Sequence, residues 1–536
     1  MTQIPAALAF QPGGTSDPNF EIDEPSANAL DDVSHPGDDW ETIYRCTHAL
    51  PVGTPDGFNQ ADCDSLGGLN SSFVASTGIL HDHAPASIFT GGGSKDINDI
   101  SQWKWKNGAV PDKDDITHAY ASAYGINNAL ILYIGSDRFS NTGSAMMGAW
   151  FFQESVRAKP DGSFTGKHKN GDIFWTGEFT GGGVVANLKI YSWQDRSSGS
   201  CSTANRIKGS NLCLIAEGSG GSGYGYVASV NNTNETAPWD YTPKSGTPGE
   251  FPYNSFMKGG LNITQLLGGN TPCFASFMIE TRSSSEVNAQ LKDFVLGELN
   301  TCKISVTKTC TSSTLAADME SIDHTYQVSV TNTGYGTITS VDLIDDVGTP
   351  EVATDDRTNT YSGDILSGQT VQVDQYTINS KLNPPTNWVT AIGRVGTYTT
   401  ASVQDNAVCP QVPLNPAIGA TKDCETKVVA EGGKVVVKVG FGGQVCNTDT
   451  ETKLVNVTAN DSKVGALTLS KTTLAPEECA SFTNPLSYYP GTVAGDGTPS
   501  QQSYSNTVSV SGTEPLSNTT VTGSATATCG LCPTCN

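Results

Sequence analysis

Short apolar runs broken by Gly, Asn and Ser recur along most of this chain, and few carry a helical period. Between residues 39 and 300 the runs at 72–75, 129–134, 149–153, 172–179, 184–192, 224–230 and 274–280 alternate or are continuously apolar. Those are the two signatures of strands that meet a core on one face or on both. The densest part is 89–152, where a glycine turn leads into acidic and tryptophan clusters and then two hydrophobic strands. The pattern predicts a large jelly-roll-like β-sandwich over 39–300. Near its end, 286–299 (EVNAQLKDFVLGEL) places Val287, Leu291, Phe294 and Val295 at helical spacing and reads equally as a strand.

From 301 to 412 the texture becomes VSVTNTG-like alternation, with strands expected at 304–307, 326–331, 340–344, 370–378, 388–392 and 397–403. That strand count fits an immunoglobulin-like sandwich. The prolines of PQVPLNP (410–416) cannot sustain a ladder and mark a linker. A second such unit fills 413–528. YQVSVTNTGYGTITSVDL matches KVVVKVGFGGQVCNTDTETKLVNVTAND in texture, and TASVQDNAVC matches TGSATATC at the close, as in a diverged internal repeat. The fold class expected is therefore all-β: a large sandwich followed by two immunoglobulin-like ones, then a Cys-rich tail at 529–536. Residues 1–38 are polar, acidic and rich in Pro and Gly, and cannot fold alone. They read as a disordered leader, or as an extended arm that adds a strand to a neighbouring subunit.

Charge narrows the partners. Fifty-four acidic against 30 basic residues give a net −24, which opposes nucleic acid and anionic membrane surfaces. Fourteen cysteines, at 46, 63, 201, 213, 273, 302, 310, 409, 424, 446, 479, 529, 532 and 535, read as disulfides in an oxidising, extracellular setting. Metal binding by the cysteines would need a second Cys-x-x-Cys pair or a histidine at ligand spacing, and neither is there. No run is long enough for a transmembrane helix. The start, MTQIPAALAFQPGG, lacks a charged n-region and a long apolar stretch, so it does not read as a signal peptide, although Ala-Leu-Ala fits the remnant of a cleavage region.

Five segments carry a resemblance: FTGGGSKDINDISQWKWKNG, PDKDDITHAYASAY, LILYIGSDRFSNTGSAMMGAWFFQ, APWDYTPKSGTPGEFPYNSFMKGGLNIT and CFASFMIETRSSSEVNAQLKDFVLG. In this order and spacing they cover most of 85–297. They resemble a β-sandwich module of large repeat-containing bacterial cell-surface proteins. The NTG and TLAPEE pieces of the next two units are similar to the conserved-repeat immunoglobulin-like domains that accompany that module. The resemblance implies surface location and architecture more than an activity.

Candidate chemistry is sparse. Asp96, Asn98 and Asp99, with Asp112, Asp114 and Asp115, offer the hard oxygen ligands that calcium takes, or simply line solvated turns. Trp103, Trp105 and Tyr120 form an aromatic platform for sugar stacking, or else alternate into the sandwich core. His81-Asp82-His83 suits zinc only with a third ligand and otherwise is a loop pair; His118 reads as packed near the core. GGSGYG (220–225) precedes no helix, and no triglycine is followed by a Walker Lys-Ser/Thr, so neither supports acyl or phosphoryl transfer. The terminal Cys529, Cys532 and Cys535 read as a staple for the last sandwich. The expectation is a non-enzymatic structural or adhesive surface protein without an organic cofactor. It would associate with itself or with other surface components, as the subunit of a filament or surface layer. The alternative is a calcium-dependent carbohydrate-binding protein.

Overall fold

The computed structural model describes residues 19–22, 26–32, 37–47, 57–82, 86–126, 129–179, 183–185, 187–197, 200–218, 225–269, 271–381, 386–488 and 503–531. It is all-β, with antiparallel sheets stacked into sandwiches. No helix among the described residues is long and apolar enough to cross a membrane.

The first unit is built on two sheets. A six-stranded sheet runs in the order Phe73–His81, Ile116–Ile126, Ala129–Arg138, Phe256–Asn262, Tyr226–Val230, Gly183–Val184. Facing it is an eight-stranded sheet in the order Leu212–Gly218, Leu188–Trp193, Ile173–Phe179, Ala145–Phe152, Ser276–Arg282, Leu291–Glu298, Ala86–Thr90, Lys104–Gly108. Strand periodicity divides each run between two cores. Leu130, Leu132 and Ile134 point between the sheets, towards Phe151, Trp175 and Ile279. Ile131 and Tyr133, one residue out of phase, point outward and are buried too.

Both outer faces are therefore covered, which explains the continuously apolar runs. Over the six-stranded sheet lie Trp239, Tyr241 and Phe251, together with the segment carrying Phe20, Trp40 and Ile43. Phe20 stacks on Tyr133 at 4.4 Å, and Ala27 and Ala29 are fully buried. Residues 19–38, as far as they are described, thus pack on their own domain rather than forming an extended arm. Their few apolar positions cannot make a core alone but complete one on a prepared aromatic surface. Residues 1–18 lie outside the described residues. Over the eight-stranded sheet, Ile100, Trp103 and Phe164 cover Trp150, Phe152, Phe174 and Met278. The ambiguous stretch at 286–299 ends as the strand Leu291–Glu298.

The next unit pairs a three-stranded sheet (Ile304–Leu315, Ile322–Asn332, Thr370–Ser380) with one made of Arg357–Ile365, Ile338–Asp345, Asn387–Val395, Tyr398–Thr399 and Val403–Ala407. Its strand Ile322–Asn332 alternates strictly between buried and half-buried positions, as VSVTN predicts. The last unit repeats the plan. Ile418–Glu431, Lys434–Asn447 and Cys479–Tyr488 form one sheet, and Gly465–Leu467, Val455–Asp461, Ser503–Glu514 and Thr519–Gly530 the other.

The first junction is closely packed. Cys273 is bonded to Cys302, and the Tyr335 hydroxyl donates to Ala129 O at 3.1 Å. Gly336 sits at φ +71, where a Cβ would lie 2.5 Å from Cys273 N, so both conformation and space require glycine there.

Candidate functional site

Three carboxylates converge where the two large sheets meet at one rim. Asp82 follows the strand Phe73–His81, Asp115 precedes Ile116–Ile126, and Asp293 lies within Leu291–Glu298 of the opposite sheet. One oxygen of each lies within 4.8 Å of the other two. Asp293 is fully buried. Its Oδ2 accepts the Ile116 N–H at 2.8 Å, whereas its Oδ1 is buried with no hydrogen-bond partner. Asp82 Oδ2 is in the same condition, while its Oδ1 accepts the Ser87 N–H at 3.4 Å.

The electrostatics follow from burial and like charge. Burial, with a smaller push from Asp115, raises Asp82 to about 7. Burial and Asp112 raise Asp115 to about 6. Burial, then Asp82, raises Asp293 well above the carboxylate range. Among the described residues no lysine or arginine pairs with any of the three, although neighbouring acids are paired: Asp114 with Lys292 and Asp112 with Lys244. Oxygen-only donors that repel one another and lack a protein cation match the needs of a hard divalent ion.

The six predicted calcium ligands do not come together; only Asp115 belongs to this cluster. Asp96 is a buried structural acid that accepts the Trp150 indole N–H at 2.8 Å and lies 2.8 Å from Arg282 Nη2. Asn98 donates to Gly93 O at 2.8 Å, and Asp99 caps the turn Ile100–Gln102 through the Ser101 N–H. Asp112 and Asp114 are held by their lysines. Asp82 was legible only as the centre of the histidine pair, and Asp293 not at all, because no local spacing joins residues so distant in sequence. His81 lies edge-on to His118 at 4.7 Å, and His83 lies outside the described residues. His118 is packed as expected, 2.8 Å from Asp137.

The aromatic platform does not form either. Trp103 is fully buried under the eight-stranded sheet, among Phe89, Trp150 and Phe164, and its indole N–H donates to Lys95 O at 3.0 Å. Tyr120 is fully buried on the opposite outer face, between Trp40 and Trp239. Trp105 is half-buried beside Phe294, with its N–H on Lys159 O at 2.9 Å. Burial accounts for the alternation of these tryptophans.

Among the described residues, six disulfides join Cys46–Cys63, Cys201–Cys213, Cys273–Cys302, Cys310–Cys409, Cys424–Cys529 and Cys446–Cys479. Cys532 and Cys535 lie outside the described residues.

No protein-family model and no curated protein matches the chain. Among solved structures, a tetra-tandem repeat in the extending region of a large adhesion protein aligns over 75% of this chain and 96% of that one, with 13% identity and a TM-score of 0.22. An exo-chitosanase of Amycolatopsis orientalis aligns over 68% of this chain and 36% of that one, with 8% identity and a TM-score of 0.14. At such scores neither alignment supports an argument. The fold and its bridges define the class by themselves: an all-β, disulfide-stapled protein of serial sandwiches.

Proposed function

We propose that this is an extracellular structural or adhesive protein, with a large sandwich that makes contacts and two immunoglobulin-like units that form its stalk. The observation that carries the reading is the placement of the disulfides. Cys310–Cys409 and Cys424–Cys529 each clamp the first strand of an immunoglobulin-like unit to its end, with separations of 99 and 105 residues. Cys273–Cys302 ties the first unit to the second. Such bridges restrict the unfolded chain and persist in oxidising surroundings, which suits a protein exposed to force and proteases.

Self-association into a filament or surface layer is the assembly state in this reading; of the arm expected over 1–38, residues 1–18, which lie outside the described residues, are the part left to mediate it. Electron microscopy of native material tests it. Filaments or lattices that disappear when residues 1–18 are removed support the arm, since that truncation spares the buried Phe20; assembly unchanged by the truncation refutes it.

The same reading places a divalent cation, calcium by its oxygen ligands, between Asp82, Asp115 and Asp293. The unpartnered, buried Asp293 Oδ1 supports this placement. The ion would tie the rims of the two large sheets together.

A further inference from the structure

Each immunoglobulin-like unit buries a lysine against an aspartate, with an asparagine in the same cluster, at corresponding places in the repeat. In the first, Lys308 lies on Ile304–Leu315, Asp345 ends Ile338–Asp345, and Asn387 begins Asn387–Val395 in the facing sheet. Lys308 is 3% exposed, Asp345 2% and Asn387 0%. Lys308 Nζ is 2.6 Å from Asp345 Oδ2 and 2.6 Å from Asn387 Oδ1. The rings of Tyr326 and Tyr376 flank it at 5.1 and 5.7 Å.

In the second unit Lys422 lies on Ile418–Glu431, Asp461 ends Val455–Asp461, and Asn506 lies on Ser503–Glu514. Lys422 Nζ is 2.7 Å from Asp461 Oδ2, and Asn506 Nδ2 donates to that same oxygen at 2.9 Å. Phe441 covers the ammonium at 4.9 Å. Lysine and aspartate are 37 residues apart in one unit and 39 in the other. Each lysine stands just ahead of the cysteine that clamps its unit, in Lys308-Thr309-Cys310 and Lys422-Asp423-Cys424.

An ion pair alone is a poor reason to repeat this arrangement, because desolvating the charges consumes most of their attraction. An amine held against a carboxamide in a dry core, beside a carboxyl that can carry its proton, is instead set up for acyl transfer. We propose that both clusters form intramolecular isopeptide bonds, Lys308 to Asn387 and Lys422 to Asn506, with Asp345 and Asp461 as proton carriers.

The ammonium first passes a proton to the aspartate, leaving a neutral amine and a neutral acid. In the first unit burial lowers the pKa of Lys308 despite its partner Asp345, and so favours that pair. Nζ then adds to the asparagine Cγ. The Nζ–Cγ bond forms, the Cγ–Nδ2 bond breaks, and Nδ2 leaves as ammonia after taking one further hydrogen from Nζ through the acid. One amide replaces another, so no oxidant, reductant or activated co-reactant enters. The product joins the two sheets of each unit by a bond that reduction cannot open.

The test is the intact mass of the full chain, reduced and denatured, followed by a peptide map. The expected result is the loss of two ammonia molecules, about 17 Da each, with branched peptides joining Lys308 to Asn387 and Lys422 to Asn506. Lys308→Arg and Asp345→Asn should each restore one ammonia and leave the other bond intact. An unshifted mass overturns the proposal, as does a loss that persists in the Lys308→Arg/Lys422→Arg double variant. A single loss mapped to one unit overturns it for the other. The map of the unmutated protein needs no variant to fold.

Discussion

If calcium fills the proposed site between Asp82, Asp115 and Asp293, removing it at neutral pH should expose a repulsion in the first sandwich that acid suppresses. Asp82 titrates at about 7 in the folded protein against an ordinary 3.8. Keeping it ionised well above pH 7 therefore costs on the order of 4 kcal/mol, at about 1.4 kcal/mol per unit of pKa. Asp115 adds a smaller share, reduced by solvent screening. The sign follows from proton counting: between pH 4 and 7 the native state holds protons that the unfolded chain has released, so stability falls as pH rises. Calcium at the proposed site would reverse this trend, because it would replace those protons. At a hundredfold excess over its Kd it would contribute about 2.7 kcal/mol. In a unit of this size that corresponds to roughly 5–10 °C in Tm. Thermal melts with chelator or with calcium, at pH 5 and pH 7.5, should show a calcium effect that grows with pH. Asp293→Asn should raise the neutral-pH melting point in chelator and abolish the calcium response, while its amide oxygen still accepts the Ile116 N–H. A calcium response equal at both pH values, or retained in Asp293→Asn, would refute the reasoning.

Other outcomes follow from the packing. Trp103→Ala should destabilise the first unit by about 3–5 kcal/mol in chemical denaturation, because it empties a fully buried site; an unchanged midpoint would return Trp103 to the surface. In Gly148→Ala, the added methyl would meet Glu280 Oε1 at 2.0 Å and Phe174 at 2.7 Å. A loss of about 1–3 kcal/mol is expected, measured the same way. Burial holds Glu280 protonated well above the usual range. Glu280→Gln should therefore raise stability at pH 7, where the unfolded glutamate has released the proton that the native state keeps, and should remove the fall in stability as pH rises above about 4.5; a large loss at pH 7 would show that its charge is needed. Replacing Cys310 and Cys409 together by serine should cost the second unit about 2–5 kcal/mol and open it to protease, read by limited proteolysis.

The strands were legible because period-two burial leaves a direct mark: Ile322–Asn332 alternates in sequence as it does in the structure. The doubly buried run at Ala129–Arg138 was equally plain, although nothing in it reveals that its outward residues meet Phe20. The sites were far less legible. Asp82, Asp115 and Asp293 meet only because sheet stacking closes two long loops, and no local spacing records that. Trp103 and Tyr120 are near in sequence yet lie on opposite outer faces, so proximity along the chain misled. The lysines of the immunoglobulin-like units share a visible Lys-x-Cys, but their asparagines come from strands far downstream.

Single-molecule extension of the full chain under oxidising conditions tests the mechanical account most directly. An unbridged segment of 99 or 105 residues would release about 350 Å when pulled straight. The account predicts no step of that length from either immunoglobulin-like unit, since force passes across the clamps. Two such steps in unreduced protein would contradict it.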